Sequence, residues 1–304
     1  MIILGAGLSG LIAAALNPQA QIFEAGSKDA QSHRAVLRFR TSAVGDAIGI
    51  PFRKIRVNKG IWFDDEFCEP TIQLSNMYSY KVTGGYFDRS IWKLDAVDRY
   101  IAPEDFILRL IEQVGDRVSW NSPVTELPES RPIISTIPMN RVLDLANVVV
   151  AEKPEFKFSP IRVQRFRIKN ADVFQTIYYP SPATAAYRAS ITGDLLIVES
   201  VDDPVYAAVD MDEILRSFGV LLNHAPVKAI DVTHKQSYGK IAPIDEQFRR
   251  FVVEHLSQKH AIYSLGRFAT WRNILLDDVL QDLNVIKRLM NADSYTRKLA
   301  ASKA

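Results

Sequence analysis

A single cysteine, Cys68, stands in a chain of 304 residues. That excludes a disulfide framework and a cysteine-rich zinc site, and it permits a reducing compartment. The histidines His33, His224, His234, His255 and His260 show no His-x-His or His-x-x-x-His spacing beside carboxylates, so no metal centre is expected. No Gly-x-Ser-x-Gly elbow and no Gly-Lys-Ser/Thr phosphate loop occurs, which removes the common hydrolase and P-loop readings. Outside the N-terminal stretch, no run approaches the roughly 20 apolar residues that span a bilayer. That stretch has no basic leader, so a signal peptide is not expected either. Internal repeats and low-complexity segments are lacking too. Charge of one sign is not in excess: 37 Lys and Arg face 35 Asp and Glu, so no global field calls for a polyanion. These absences leave a soluble cytoplasmic protein acting on a small molecule, with no membrane partner and an oligomeric state left open.

What is present begins at the first residues. Met1-Ile2-Ile3-Leu4 reads as a strand, Gly5-x-Gly7-x-x-Gly10 follows at once, and an apolar helix runs over 11–16. A second apolar stretch, Gln21-Ile22-Phe23, ends on Glu24. Strand, glycine turn, helix and a terminal acid together are the parts of a dinucleotide site. Gly5 permits the tight turn, Gly7 lets the backbone approach a pyrophosphate, and Gly10 lets helix and strand pack closely. Ser9 lies within the same turn. The helix N-terminus offers free N–H groups to the phosphates, and Glu24 is placed to accept hydrogen bonds from a ribose. The alternative is a βαβ turn kept only for packing.

With 47% hydrophobic residues, the length suits roughly two domains. Strands are expected at 71–74 and 78–82, turned by Gly84-Gly85, then a helix from Pro103 with the apolar stripe Phe106, Ile107, Leu110, Ile111 and Val114, closed by Gly115. Further strands are expected at 118–120, 132–136, 161–169, 174–179, 194–199 and 261–265. Helices are expected at 211–222, 245–257 and 273–290, with a turn at Tyr238–Pro243. The expected fold class is α/β. A Rossmann-like dinucleotide domain would be formed by 1–65, 101–150 and 231–304, and a discontinuous β-rich substrate domain by 66–100 and 151–230. Ligand sites commonly lie between such lobes.

The segment Tyr263-Ser264-Leu265-Gly266-Arg267-Phe268-Ala269-Thr270-Trp271, leading to Asp277 and Asp278, together with the N-terminal fingerprint, resembles the flavin-dependent amine oxidase and UDP-galactopyranose mutase superfamily. The resemblance spans most of the chain in element order and is specific mainly at its two ends. It implies FAD as cofactor, rather than NAD(P) alone, lying along the first domain. On this resemblance Gly5, Gly7, Ser9, Gly10 and Glu24 hold the dinucleotide, and Val124 offers main-chain contacts to adenine. Thr136 stands where the family writes a turn beside the dinucleotide. Gly266, Arg267, Trp271 and Asn273 pass beside the flavin. A helix N-terminus near Asn273 would then favour the anionic reduced ring. His33-Arg34 replaces the usual paired glycines and arginine, with Arg34 near flavin or pyrophosphate. Trp271 and Asn273 stand where the mutases carry tyrosines. The strings Tyr178-Tyr179-Pro180 and Tyr187-Arg188 are similar to mutase strings.

Four residues are candidates for the chemistry. Arg188 and Arg267 offer fixed forks of donors suited to carboxylate or phosphate. Tyr178 and Tyr179 alternate faces, so one of them, Tyr179 among the candidates, points inward. Lys240 takes the place of the lysine that amine oxidases hold near flavin N5. Each has an ordinary structural alternative: a solvated arginine, a core tyrosine, a surface lysine. Cys68, with no basic neighbour, reads as a quiet thiol. The leading function is oxidation of a carbon–nitrogen bond in a small amine, with oxygen reoxidising the flavin. A non-redox mutase acting on a sugar nucleotide is the second. A third draws on two basic strips, Arg34, Arg38, Arg40, Arg53, Lys54, Arg56 and Lys59, then Arg162, Arg165, Arg167 and Lys169. These are solvated faces, walls of an anion-binding cleft, or contacts for a nucleic acid bearing a modified base.

Overall fold

The computed structural model describes residues 1–31, 36–86, 91–150, 152–220, 227–230 and 234–301; the side chains of 159, 234–240 and 293–301 are outside the description. In chain order the elements are β1 (Ile2–Leu4), α1 (Leu8–Ala15), β2 (Gln21–Phe23), β3 (Arg38–Phe39), α2 (Ala43–Ile48), β4 (Arg53–Phe63), β5 (Glu66–Cys68) and α3 (Ile72–Thr83). Then come β6 (Val97–Ile101), α4 (Phe106–Val114), β7 (Val118–Ser119), β8 (Ile133–Ser135), α5 (Met139–Leu145), β9 (Phe158–Ile168), β10 (Val173–Tyr178), β11 (Ala186–Gly193) and β12 (Leu195–Val201). The chain closes with α6 (Met211–Ser217), β13 (Val227–Ala229), β14 (His234–Ile241), α7 (Glu246–His260), β15 (Ile262–Ser264), α8 (Arg267–Thr270) and α9 (Leu276–Ala301).

The first sheet is parallel throughout, in the order β15-β8-β1-β2-β7. Its strands are short and apolar on both sides, as parallel strands covered by helices must be. One face packs on α1, α4 and α9 through Leu11, Ile12, Leu110, Val114, Val279 and Leu283. The other packs on α5 and α7 through Met139, Val142, Val252 and Leu256. The expected apolar stripe of α4 is the buried one, and Gly115 ends that helix with φ +62°. The second sheet is mixed, in the order β13-β9-β12-β11-β10-β4-β6-β3, with β14 added to β9 and β5 to β4. α6 covers one of its faces and α3 the other. The fold class is therefore the expected one: a Rossmann-like parallel sheet with helices, joined to a β-rich part.

Several local expectations change. The strands expected at 71–74 and 78–82 are one helix, α3. Thr71 Oγ1 accepts the N–H of Leu74 and so caps its start, and Gly84 closes it at φ +71°. Buried Leu74, Ser75, Tyr78, Ser79, Lys81 and Val82 repeat at helical, not alternating, spacing. The turn expected at Tyr238–Pro243 is in part strand, since β14 pairs Lys240 with Ser159 and Ile241 with Phe158. The last helix begins at Leu276, three residues after Asn273. Helix α6 ends at Ser217, and 221–226 lie outside the described residues. The strand β4 belongs to the mixed sheet, hydrogen-bonded to β10 and β6.

Candidate functional site

From β1 the chain crosses to β2 on one side, and β8 later settles on the other side of β1. The strand order reverses there. In open parallel sheets ligands bind in the crevice beyond the strand ends at such a reversal. The residues after β1 are the glycine turn, and the residue after β8 is Thr136. Thr136 Oγ1 lies 2.8 Å from Leu4 O and 3.1 Å from Gly5 O and donates between them.

Each glycine of the turn has its own steric reason. Gly5 has φ +93°, and a Cβ there would lie 2.5 Å from Thr136 Oγ1. A Cβ on Gly10 would fall well inside contact with Gly5 O, so this glycine presses helix α1 against the turn. Gly7 differs: a Cβ there would meet nothing within 4 Å. No packing requirement of the protein itself calls for a glycine at that position. Gly7 is the N-cap of α1, and no side chain caps it. The turn thus presents uncapped N–H groups and the positive end of α1 to open space.

Glu24 sits at the end of β2. Its Oε2 accepts the Ala6 N–H at 2.6 Å and its Oε1 accepts the Gly26 N–H at 2.7 Å. The carboxylate therefore ties the glycine turn to the next loop, and each oxygen keeps a lone pair for a hydroxyl. The C-terminal segment meets the same turn. Gly266 has φ +86°, and a Cβ on it would lie 2.6 Å from Ser9 Oγ. The two ends of the sequence that carried the resemblance are thus in contact. Their cradle fits a pyrophosphate in its uncapped N–H groups and in the side chain missing at Gly7. Val124 is half-buried and packs with the cluster that includes Phe23 and Ile137.

Other expected site residues have different surroundings. Trp271 is 3% exposed, wedged between Phe156 and Phe158, and its Nε1 donates to Ala242 O at 2.9 Å. Asn273 is exposed in the connection to α9. The helix N-terminus expected near it is occupied by its own acids: Asp278 accepts the Leu275 N–H, and Asp277 and Asp278 bind Arg40. Arg267 opens α8 next to Gly266. Arg34 lies outside the described residues, as does the side chain of Lys240.

Tyr179 is the inward tyrosine, fully buried, and its hydroxyl bonds Ser217 Oγ at 2.6 Å. It lies in the core of the mixed sheet. Burial pushes its hydroxyl well above the usual tyrosine value. Arg188 pairs with Glu199 across β11 and β12. Burial works against its charge, but Glu199 outweighs that and holds it firmly ionised.

Two further cations, half-buried Arg38 and buried Lys81, carry no sequence expectation of this kind. Arg38 reaches into the mixed sheet, donating to Thr176 Oγ1 at 2.8 Å, to Ile191 O and to Thr192 Oγ1. Burial and then repulsion from Arg188 lower it to about 10. Lys81 is 5% exposed and donates to Tyr179 O at 2.9 Å, Ser181 O at 2.5 Å and Ala186 O at 2.7 Å. A helical reading of 72–83 would have placed Lys81 on the buried face beside Tyr78 and Val82, and that was the available signal. The rest of the first basic strip is mostly exposed, with Lys54 and Arg56 on Asp98 and Arg40 on α9. In the second strip Arg162 pairs Asp202, and Arg167 pairs Asp194 and Glu104.

Between the start of α4 and the mixed sheet lies a cavity of about 330 Å³, walled by Leu37, Ile101, Phe106, Ile107 and Leu195, with Glu104, Arg165, Arg167 and Thr192 at its polar side. Among the described residues no helix is long and apolar enough to cross a membrane.

No family model and no curated protein sequence matches the chain. Solved structures do. A reduced UDP-galactopyranose mutase is similar over 96% of this chain and 93% of its own, with a TM-score of 0.64 and 14% identity. The p-nitrophenol 4-monooxygenase PnpA of Pseudomonas putida covers 97% and 80%, with a TM-score of 0.53 and 12% identity. Aklavinone-11 hydroxylase, solved with FAD and aklavinone, covers 95% of this chain and 61% of its own, with a TM-score of 0.54 and 8% identity. The fold implied by the resemblance is thus the fold these enzymes share.

Proposed function

We propose that the protein is an FAD-dependent oxidoreductase. The observation that carries this is Gly7, whose missing side chain leaves open space beside an uncapped helix N-terminus, while Gly5 and Gly10 are held by contacts within the turn. The turn over 5–10 would hold the pyrophosphate, Glu24 a ribose, and the main chain at Val124 the adenine. Thr136 would border the dinucleotide beside the glycine turn, and Gly266 and Arg267 would pass beside the flavin. FAD, when bound, accepts a hydride and passes electrons on to oxygen. The chain's part is to bind it, to orient it against the mixed sheet, and to exclude water.

The substrate in this proposal is a small amine oxidised at a carbon–nitrogen bond. A nitrogen must be uncharged to lose hydride from its neighbouring carbon, and the apolar part of the cavity between α4 and the mixed sheet would suit a neutral amine. Segments 1–65, 101–150 and 231–304 would serve as the nucleotide part, with β4 contributing across to the mixed sheet, and 66–100 and 151–230 as the substrate part. The measurement is an absorption spectrum of the purified protein, before and after incubation with FAD. A flavin spectrum, bleached by a candidate amine with oxygen consumption, is expected. A protein that stays colourless after incubation removes the proposal. If flavin binds and amines leave it unreduced, the amine substrate alone is lost. Ring contraction of UDP-galactopyranose under dithionite would then favour a mutase.

A further inference from the structure

Strand register sorts the charges of the mixed sheet onto two faces. Lys59 stands opposite Thr176, and Thr176 opposite Ser190. Arg99 stands opposite Ile55, which shares a face of β4 with Lys59. Arg188 stands opposite Tyr178, which follows Thr176 on that face of β10. Arg38 reaches the same face, since its guanidinium donates to Thr176 Oγ1 and Thr192 Oγ1. Lys59 is therefore one strand spacing, about 4.8 Å, from the residue that holds Arg38. Lys54, Arg56 and Asp98 lie on the opposite face and pair there.

Of these four cations only Arg188 pairs with an acid, Glu199, among the described residues. Arg38 also donates to Ile191 O, Lys59 Nζ donates to Lys93 O at 2.9 Å, and Arg99 Nη1 donates to Asp98 O at 2.8 Å. Arg38, Lys59 and Arg99 thus meet only neutral oxygens, and all three are half-buried. Glu199 attracts Arg38, and Asp95 attracts Lys59, without forming an ion pair. The cations also sense one another. Burial, then repulsion from Arg188 and from Arg99, lowers Arg38; burial, then repulsion from Arg99, lowers Lys59. A charge drawn out of water is costly unless an opposite charge meets it.

We infer that Arg38, Lys59 and Arg99 form a binding site for the anionic group of a small molecule, a carboxylate or a phosphate. Arginine forks suit the paired oxygens of either group, and lysine adds a point charge. One anion offsets the burial of these cations and their mutual repulsion together. Thr192, which accepts from Arg38, also lines the cavity of about 330 Å³ beside α4. An anion held here leaves the rest of its molecule beside that cavity's apolar walls. Resting on the proposed amine oxidation, the substrate is then an amine that carries an acid group away from its nitrogen.

The test titrates the purified full chain, without flavin, with succinate and with its neutral counterpart succinamide, read by calorimetry. Its outcome is therefore separate from that of the flavin reading. Succinate should bind, with succinamide about tenfold weaker, and added salt should weaken succinate. Lys59→Gln and Arg99→Gln, at positions outside the core, should each weaken succinate about tenfold. Lys54→Gln, on the opposite face, should leave it unchanged. Absence of succinate binding, equal binding of succinamide, binding untouched by Lys59→Gln and Arg99→Gln, or an equal loss in Lys54→Gln would each overturn the inference. With FAD bound, β-alanine should reduce the flavin at about tenfold lower concentration than ethylamine. Equal potency of the two, with succinate binding intact, would overturn the assignment of the anion to the substrate.

Discussion

The three glycines of the turn look alike in sequence and are not alike in space. Gly10→Ala puts a methyl group into Gly5 O, so it should destabilise even the flavin-free protein by about 1–3 kcal/mol, as overpacking does. At Gly7 a Cβ meets no protein atom, so Gly7→Val has room at its branch point. Its flavin-free stability should stay within about 1 kcal/mol of wild type, while flavin uptake is lost. Urea denaturation and the flavin spectrum of the two variants check both. Wild-type flavin content in Gly7→Val would remove the pyrophosphate assignment. Trp271 belongs to another class, since its indole N–H serves Ala242 O within an aromatic cluster. Trp271→Phe should cost about 0.5–1.5 kcal/mol, measurable as a lower Tm.

At the level of elements, α3 is the informative case. Lys81 is pushed from 10.5 down to about 7, by burial. Between those values the unfolded chain binds more protons than the folded one, so stability rises with pH across that window. Wild type should therefore gain stability over Lys81→Met from pH 7 to pH 10 in urea denaturation. A constant difference would show that Lys81 stays charged throughout. The same helix marks what could be read from residues alone. The glycine turn, α4 and the parallel strands were legible because they carry a period or a steric demand in a few adjacent residues. α3 was not, because its apolar stripe is thin and broken by Ser75, Ser79 and Lys81, and the burial of Lys81 depends on carbonyls far along the chain. The steric demands of the glycine turn and the place of Glu24 at the end of β2 were legible for a similar reason. Trp271 and Tyr179, which the structure buries in the two cores, carried only identity and neighbourhood, and these do not distinguish a pocket from a core.

At the scale of the whole molecule, contacts between distant segments connect the parts. Asp277 Oδ1 accepts the N–H groups of Arg40 at 2.8 Å and Thr41 at 3.2 Å, and Arg40 also pairs with Asp278. Asp277→Ala should loosen the 40–42 segment from α9 at a cost of about 1–2 kcal/mol, with faster amide exchange confined to those two places. The meeting of Gly266 with Ser9 has a further consequence, in time rather than space. During synthesis β1, α1 and β2 leave the ribosome long before β15 and the Gly266 turn that press on Ser9. A nascent chain halted before Gly266 owns the glycine turn without its cover. Cofactor capture should therefore wait for that cover, and ribosome-stalled chains of increasing length should acquire flavin only once Gly266 and the start of α9 have emerged.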